Sequence, residues 1–457
     1  SELKQFLKIG LPIYGSQASY TAMGLTDTIV AGRAGSTELS GVAIGASISN
    51  PLFFSISGIM FALTPIIAHL YGGKKISEIT LKMREVIWIG LGIGIFLTGG
   101  YIGAASFVKL TSIDSSIIEV TSGYLKALAF GACSIILFTA LRCFSEGLTQ
   151  TKPVFFVAFF GMLLNIPADI ILVNGLLGFP ELGGVGCGYA TSFISTLMLI
   201  GMVIVIMLQK DLRAIKIFSG IRLPQFKTFK ELIFLGLPIG LGIFVELSMF
   251  SGAAIILGPL GDLIVASHAV ALSIASFLFM VPLSIGLAAA TRVGNLLGAE
   301  HYTSARFSSY FAIYMCFIGA ILNILVIVCF KDNIVGFFTN ELDVAILAKS
   351  LLILAAIFQL SDGIQMGALG GLRGYKDTFV PMIYLIIAYW IFALPIGYYL
   401  TYYGIENPLG AHGMWIGMIF GLSLAAVMAI LRLKKLTTIS PVSYTHLRCR
   451  RTEQCRC

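Results

Sequence analysis

Charge is what this sequence has least of: only 11% of its 457 residues are Asp, Glu, Lys or Arg, against 57% hydrophobic. Soluble domains ordinarily carry about a quarter charged residues, so the composition excludes one and places the chain in lipid. No Walker A run occurs, which removes ATP as an energy source. His69, His268, His301 and His412 lack metal-ligand spacing and read as helix-end or packed histidines. Cys133, Cys143, Cys187, Cys316 and Cys329 lie in apolar text without a C-x-x-C pair, so neither a disulfide framework nor a metal site is expected. Cys449, Cys455 and Cys457 belong to a tail that also holds four of the 30 basic residues, Arg448, Arg450, Arg451 and Arg456. The run Pro441 to Arg448 resembles a mistranslated cloning adapter, and residues 440–457 are set aside as a non-native tail. What remains is 26 basic against 21 acidic residues, a balance of +5 that the membrane alone explains; no nucleic-acid partner is expected.

Apolar length is what the chain does have. Runs bounded by charge, Gly and Pro predict spans near 7–31, 41–70, 86–108, 118–144, 153–175 and 186–209, then 232–257, 265–297, 307–330, 344–370, 378–402 and 411–433. Each reaches the roughly 20 residues that cross the hydrocarbon core, and the longer ones are expected to tilt. The predicted fold is therefore an all-α integral membrane protein of twelve helices. The first apolar run is too long for a signal-peptide core, and a chain starting at Ser1 is expected to lack a few N-terminal residues. Alternate connections carry 21 of the 26 basic residues, among them Lys74, Lys75, Lys82, Arg84 and the run Lys210 to Lys230. That bias places both termini in the cytoplasm of a bacterial inner (plasma) membrane protein.

The most basic connection, 210–231, falls between two halves that resemble each other: a first lobe over 1–209 and a second over 232–435. Sliding by 226 lays Gly10-Leu11-Pro12-Ile13 on Gly236-Leu237-Pro238-Ile239, Gly32 and Gly35 on Gly258 and Gly261, and Gly72 on Gly298. In the fourth helices a slide of 224 lays Gly147-Leu148 on Gly371-Leu372 and Lys152 on Lys376. Six spans per lobe keep both lobes in the same orientation, with a substrate path expected between them.

Four acids fall at membrane depth: Asp27, Asp169, Glu246 and Asp362. Each costs about 2.5–3.5 kcal/mol on insertion scales and calls for a reason. In these frames Asp27 faces Ala253, Glu246 faces Tyr20, Asp362 faces Phe138 and Asp169 faces Ala393, so the helices repeat and the carboxylates do not. Asn165 and Asp169, one turn apart around Pro167, share a helix face. With Asp27 and Thr191 they offer the hard oxygens a Na⁺ ion wants, and a proton can substitute by neutralising a carboxylate. Gly90, Gly92 and Gly94 suit close helix packing. Met249, Phe250, Phe277, Met280 and Phe358 are candidates for lining an adaptable cavity.

Leu164-Asn165-Ile166-Pro167, Gly183-Gly184-Val185-Gly186-Cys187-Gly188, Arg292-Val293-Gly294, Leu372-Arg373-Gly374-Tyr375-Lys376-Asp377 and Met414-Trp415-Ile416-Gly417 occur in this order. Together they resemble the NorM-type branch of the multidrug and toxic compound extrusion (MATE) family over about residues 4–435. The resemblance implies two six-helix lobes that export cationic, amphipathic drugs and dyes in exchange for Na⁺ or H⁺, with no other cofactor and as a monomer. It maps coupling acids onto Asp27 in the first lobe and Glu246 and Asp362 in the second, and a first-lobe cation site onto Asn165, Asp169 and Thr191. Possible Na⁺ sites are thus Asp27 with Asn165 and Asp169, or Glu246 with Asp362. Phe358 stands where such relatives often have Tyr, which removes one cation-ligand oxygen near Asp362.

Two other functions fit a twelve-helix chain. A lipid-linked saccharide flippase would call for a cationic cavity, whereas the mid-membrane charges here are acidic. An intramembrane enzyme would need a nucleophile and base, or metal ligands, at depth, and none is visible. Cation-coupled efflux is the expected function, and the chain is not expected to be an enzyme.

Overall fold

The computed structural model describes residues 2–110, 114–338, 341–404 and 406–438; the stretch 440–457 set aside above lies outside them. The described residues are almost entirely helical, as a chain in lipid must be to satisfy every backbone N–H and C=O internally. The helices are α1 (Glu2–Ala34), α2 (Ser36–Phe61), α3 (Leu63–Gly72), α4 (Ile76–Val108), α5 (Ser115–Gly147), α6 (Lys152–Asn174), α7 (Gly184–Leu208), α8 (Lys210–Arg213), α9 (Phe226–Leu257), α10 (Asp262–Gly298), α11 (Tyr302–Phe338), α12 (Leu342–Gly374), α13 (Phe379–Ile386), α14 (Leu394–Tyr402) and α15 (Ala411–Thr438). A short break at Ala62 separates α2 from α3, and a π-helical segment, Ile387–Ala393, joins α13 to α14. Read through these joints, twelve long rods result. Eleven are apolar and long enough to cross a membrane; the more polar α1 is the twelfth. The spans therefore begin and end beyond the apolar runs that announce them, α4 for instance at Ile76 rather than near residue 86.

The chain forms two compact units, Ser1–Ser248 and Met249–Cys457, and the boundary falls inside α9. The early part of α9 buries Leu232, Leu235 and Ile239 in the core of the first unit. Glycine makes that packing possible. A Cβ on Gly236 or Gly240 would strike the backbone of Ile59 or Ser55 on α2, and one on Gly58 would strike Gly240 itself. The connection 210–225 is also fastened to this unit. Thr80 donates to the Ile215 carbonyl at 2.6 Å, Arg84 to the Lys216 carbonyl at 3.0 Å, and Arg222 pairs with the buried Glu85 at 2.6 Å. Its own Leu212, Ile215 and Ile217 are buried. On the opposite side, Asp114 caps α5 by accepting from the hydroxyl and N–H of Ser116, hydrogen bonds that hold its carboxyl below the ordinary value.

Backbone hydrogen bonds at the helix ends display the internal repeat directly. Gly73→His69, Lys74→Tyr71 and Lys75→Leu70 recur as Ala299→Asn295, Glu300→Leu297 and His301→Leu296, a frame of 226. After α5 and α12 the frame is 227: Leu148→Phe144, Thr149→Glu146 and Gln150→Ser145 recur as Tyr375→Gly371, Lys376→Arg373 and Asp377→Leu372. The slide of 224 read from Gly147-Leu148 and Gly371-Leu372 is therefore a coincidence of glycines and is corrected. At the end of α14 the counterpart of Leu182→Leu172 is Leu409→Leu400, whose acceptors stand 228 apart and whose donors stand 227 apart. The extra residue is absorbed in the π segment, where the Leu394 N–H reaches back five residues to the Tyr389 carbonyl. In the corrected frames Asp362 faces Ile135 and Asp169 faces Gly397. The carboxylates remain unduplicated.

Candidate functional site

In the first unit α1, α6 and α7 converge on a buried polar cluster. Asp27 comes from α1, Asn165 and Asp169 from α6, and Thr191 from α7, so the four residues expected to act together are brought together. Asn165 is the hinge of the cluster. Its Nδ2 donates to Asp169 Oδ2 at 2.8 Å and, at 3.5 Å, to Asp27 Oδ1, while Thr191 donates to Asp27 Oδ2 at 3.1 Å. Both donors on the amide are thus turned towards carboxylates. The atoms left over are acceptors: Asn165 Oδ1 and Asp169 Oδ1 are buried without a hydrogen-bond partner among the described residues.

The glycine run before Thr191 explains how α7 comes so near. Gly183 takes φ +55° to start the helix, and a Cβ on Gly186 would stand 2.8 Å from the Leu172 carbonyl carbon of α6. Side chains at that site would push α7 outward and carry Thr191 away from Asp27. Cys187, one turn earlier, donates to the Asp27 carbonyl at 3.6 Å, a contact the sequence did not suggest.

In the second unit Asp362 lies on α12, 3% exposed. Amides stand one turn to either side of it, Gln359 and Gln365, both fully buried. Gln359 is used up: its Nε2 donates to the Ala275 carbonyl at 2.8 Å and its Oε1 accepts from Asn323 Nδ2 at 3.2 Å. Asn323 also donates to the Leu278 carbonyl at 3.0 Å, the very group that Pro282 leaves without a helical partner. Gln365 accepts at Oε1 from the hydroxyl of Tyr389, at 2.7 Å, and its Nε2 has no partner among the described residues. Tyr389 sits within the π segment. None of these residues was singled out from sequence, since neutral amides attract less notice than acids; their spacing of three from Asp362 was the available signal.

The remaining expected residues are placed as follows. Glu246 is half-buried on the part of α9 that belongs to the first unit. Met249 is fully buried, Phe250 is half-buried with its ring centroid 6.0 Å from that of the buried Phe358, Met280 is half-buried and Phe277 is exposed. Three further buried acids, passed over in the sequence, are Glu85, Glu146 and Asp377, and each has an arginine: Arg222, Arg142 and Arg432. That pairing separates structural acids from the Asp27–Asp169 pair, which meets neutral groups and its own twin. Among the described residues no cluster of three or more His, Cys, Asp and Glu side chains could hold a metal.

Comparison with known proteins bears on the family and the fold. The MatE family profile matches twice, over residues 12–171 and 238–399. The two matches start 226 residues apart and end 228 apart, the frames set by the helix-end hydrogen bonds. The chain is 37% identical over 434 residues to multidrug resistance protein NorM of Photobacterium profundum, covering 95% of each chain. It is 36% identical to multidrug resistance protein MdtK of Proteus mirabilis over 93% of this chain and 94% of that one. In fold it is similar to the eukaryotic MATE transporter AtDTX14, with a TM-score of 0.88 and 20% identity over 99% of both chains. A MOP superfamily transporter from Pyrococcus furiosus superposes with a TM-score of 0.85 at 19% identity, over 96% of both.

Proposed function

Since this chain belongs to the MatE family, we propose that it is a secondary active multidrug efflux transporter, exporting cationic amphipathic compounds in exchange for Na⁺ or H⁺. The observation that carries this reading is the Asp27–Asn165–Asp169–Thr191 cluster. It is a pair of carboxyls held in a buried site with no basic partner, so its charge must be balanced by something that comes and goes. The spare oxygens of Asn165 and Asp169 suit a hard cation, and a proton on either carboxyl would neutralise it in its place. Binding of either ion lowers the cost of burying the acids and biases one arrangement of the two lobes over the other. Drug binding favours the opposite arrangement, and only such differential affinity couples the two fluxes. Asp362 and Glu246 act as the acids of the second set. Lysines and arginines orient the protein in the inner membrane with both termini in the cytoplasm.

Ethidium efflux from proteoliposomes, with Na⁺ and pH gradients imposed separately, tests the proposal. Uphill efflux is expected under at least one gradient and should be lost in Asp27→Asn. Efflux at the normal rate in correctly inserted Asp27→Asn protein would refute it.

A further inference from the structure

The connection from α7 into α9 carries more apolar surface than its docking uses. Leu212, Ile215 and Ile217 are buried, whereas Ile221, Leu223 and Phe226 are 84%, 72% and 78% exposed, with Phe218 and Phe229 exposed beside them. The ion pair with Glu85 sets this division: Arg222 is drawn inward, and its neighbours Ile221 and Leu223 stand out. Large apolar side chains left out singly are ordinary, but these are concentrated on one short piece of chain.

The same piece is basic. Lys210, Arg213, Lys216, Lys227 and Lys230 are exposed, and none meets a carboxylate within ion-pair distance among the described residues. The acids close by are spent elsewhere, Glu85 on Arg222, Glu231 on Lys82, and Asp211 on the Gln150 amide at 3.3 Å. α9 opens on Lys227 with no acid in its first turn, so the positive end of the helix adds to that charge. Because α7 and α9 are each long and apolar enough to cross a membrane, the stretch between them begins and ends at one bilayer surface. From exposed apolar side chains interleaved with these cations at that surface, we propose that residues 210–230 bind anionic phospholipid. The lysines and arginines take the headgroup phosphates, while Ile221, Leu223 and Phe226 enter the acyl layer.

Neither half of the arrangement suffices alone. Cations beside a membrane helix draw anionic lipid, an attraction that falls off within a Debye length, and a few apolar side chains give only reversible attachment; together they hold. The long lysine stems can lie along acyl chains with their ammonium groups among the phosphates. A second copy of this chain fits the surface less well, since a two-fold contact would set the same cations against themselves. The proposal is independent of the coupling ion and of the Asp27 cluster.

Native mass spectrometry tests it on the full-length protein released from an equimolar mixture of phosphatidylglycerol and phosphatidylcholine. Phosphatidylglycerol should be retained in preference. Arg213→Gln, Lys216→Gln, Lys227→Gln and Lys230→Gln together should cut that preference on the order of tenfold. Lys4→Gln with Lys8→Gln, exposed cations at the start of α1, should leave most of it. A nitroxide on Leu223→Cys, with the other reactive cysteines changed to serine, reports where the apolar side chains go. In bilayers containing phosphatidylglycerol it should collide more with oxygen, which concentrates in the acyl layer, than with a water-soluble nickel chelate. In phosphatidylcholine alone the order should reverse. Undiminished preference in the fourfold variant, or an equal loss in the Lys4 and Lys8 variant, would overturn the proposal. So would a label that favours the nickel chelate in both bilayers. A label that favours oxygen in both would mean an anchor indifferent to headgroup charge, and one shielded from both reagents would mean a protein cover; either overturns it as well.

Discussion

Glu146 and Asp169 are both buried carboxyls in helices of the first unit, and they differ in the company they keep. Glu146 accepts an ion pair from Arg142 at 3.1 Å, and the Arg142 guanidinium lies 5.6 Å from the ring centres of both Tyr20 and Phe61. Removing one charge of such a pair leaves the other uncompensated, at a cost of about 3–5 kcal/mol. Glu146→Gln is therefore expected to lower the unfolding midpoint in detergent sharply. An unchanged midpoint would show that the pair contributes nothing. Asp169 has no arginine to leave uncompensated and meets the neutral amide of Asn165, so Asp169→Asn should be tolerated by the fold and felt in ion binding. Sequence alone made Asp27, Asn165, Asp169 and Thr191 legible, because acids and an Asn-x-Pro-x-Asp spacing stand out in apolar text. It did not reveal that Arg142 is buried, since an arginine near a helix end reads as a loop charge. Nor did it reveal the hydrogen bond from Tyr389 to Gln365, which ties α12 to the π segment.

At the scale of helices, small residues decide where rods touch. Gly240 on α9 rests on the backbone of α2 at Ser55 and Gly58, with no side chain between. A methyl group there has only backbone to displace, so Gly240→Ala should force α9 away from α2 and cost about 1–3 kcal/mol. Thermal melting of the purified protein measures this, and Gly92→Ala, where the added carbon meets open space, is the matched control. Equal stability of the two variants would show that the helices separate without penalty. Helix existence was readable from hydrophobic runs, yet ends were not. Helices continue into water through polar turns, and only capping hydrogen bonds fix where they stop. The same bonds exposed the false frame of 224, which two glycine-leucine pairs had suggested. The π segment was illegible for a related reason: one inserted residue changes the hydrogen-bond ladder without changing the apolar pattern.

At the scale of the whole molecule, the connection between the repeats was expected to be a basic linker and proves to be part of the first unit. Ile215 and Ile217 alternate with exposed residues, so in a short segment their burial could not be read as a pattern. Glu85 holds the far end through Arg222, and Thr80 and Arg84 hold the middle. Because Arg213, Lys216 and Arg222 are trypsin sites, this docking has a consequence that can be measured. In inside-out vesicles the intact protein should be cut slowly in this segment. Glu85→Gln frees Arg222, leaves an uncompensated charge to be expelled to water, and should release the strand. Cleavage into two fragments of nearly equal length should then quicken several-fold, in proportion to the population of the undocked strand. Right-side-out vesicles should resist cleavage in both proteins if the segment faces the cytoplasm. Rapid cleavage from the outer side would reverse the orientation that the lysines and arginines imply, and equal rates for Glu85→Gln and the unaltered chain would mean the strand is held by its buried isoleucines alone.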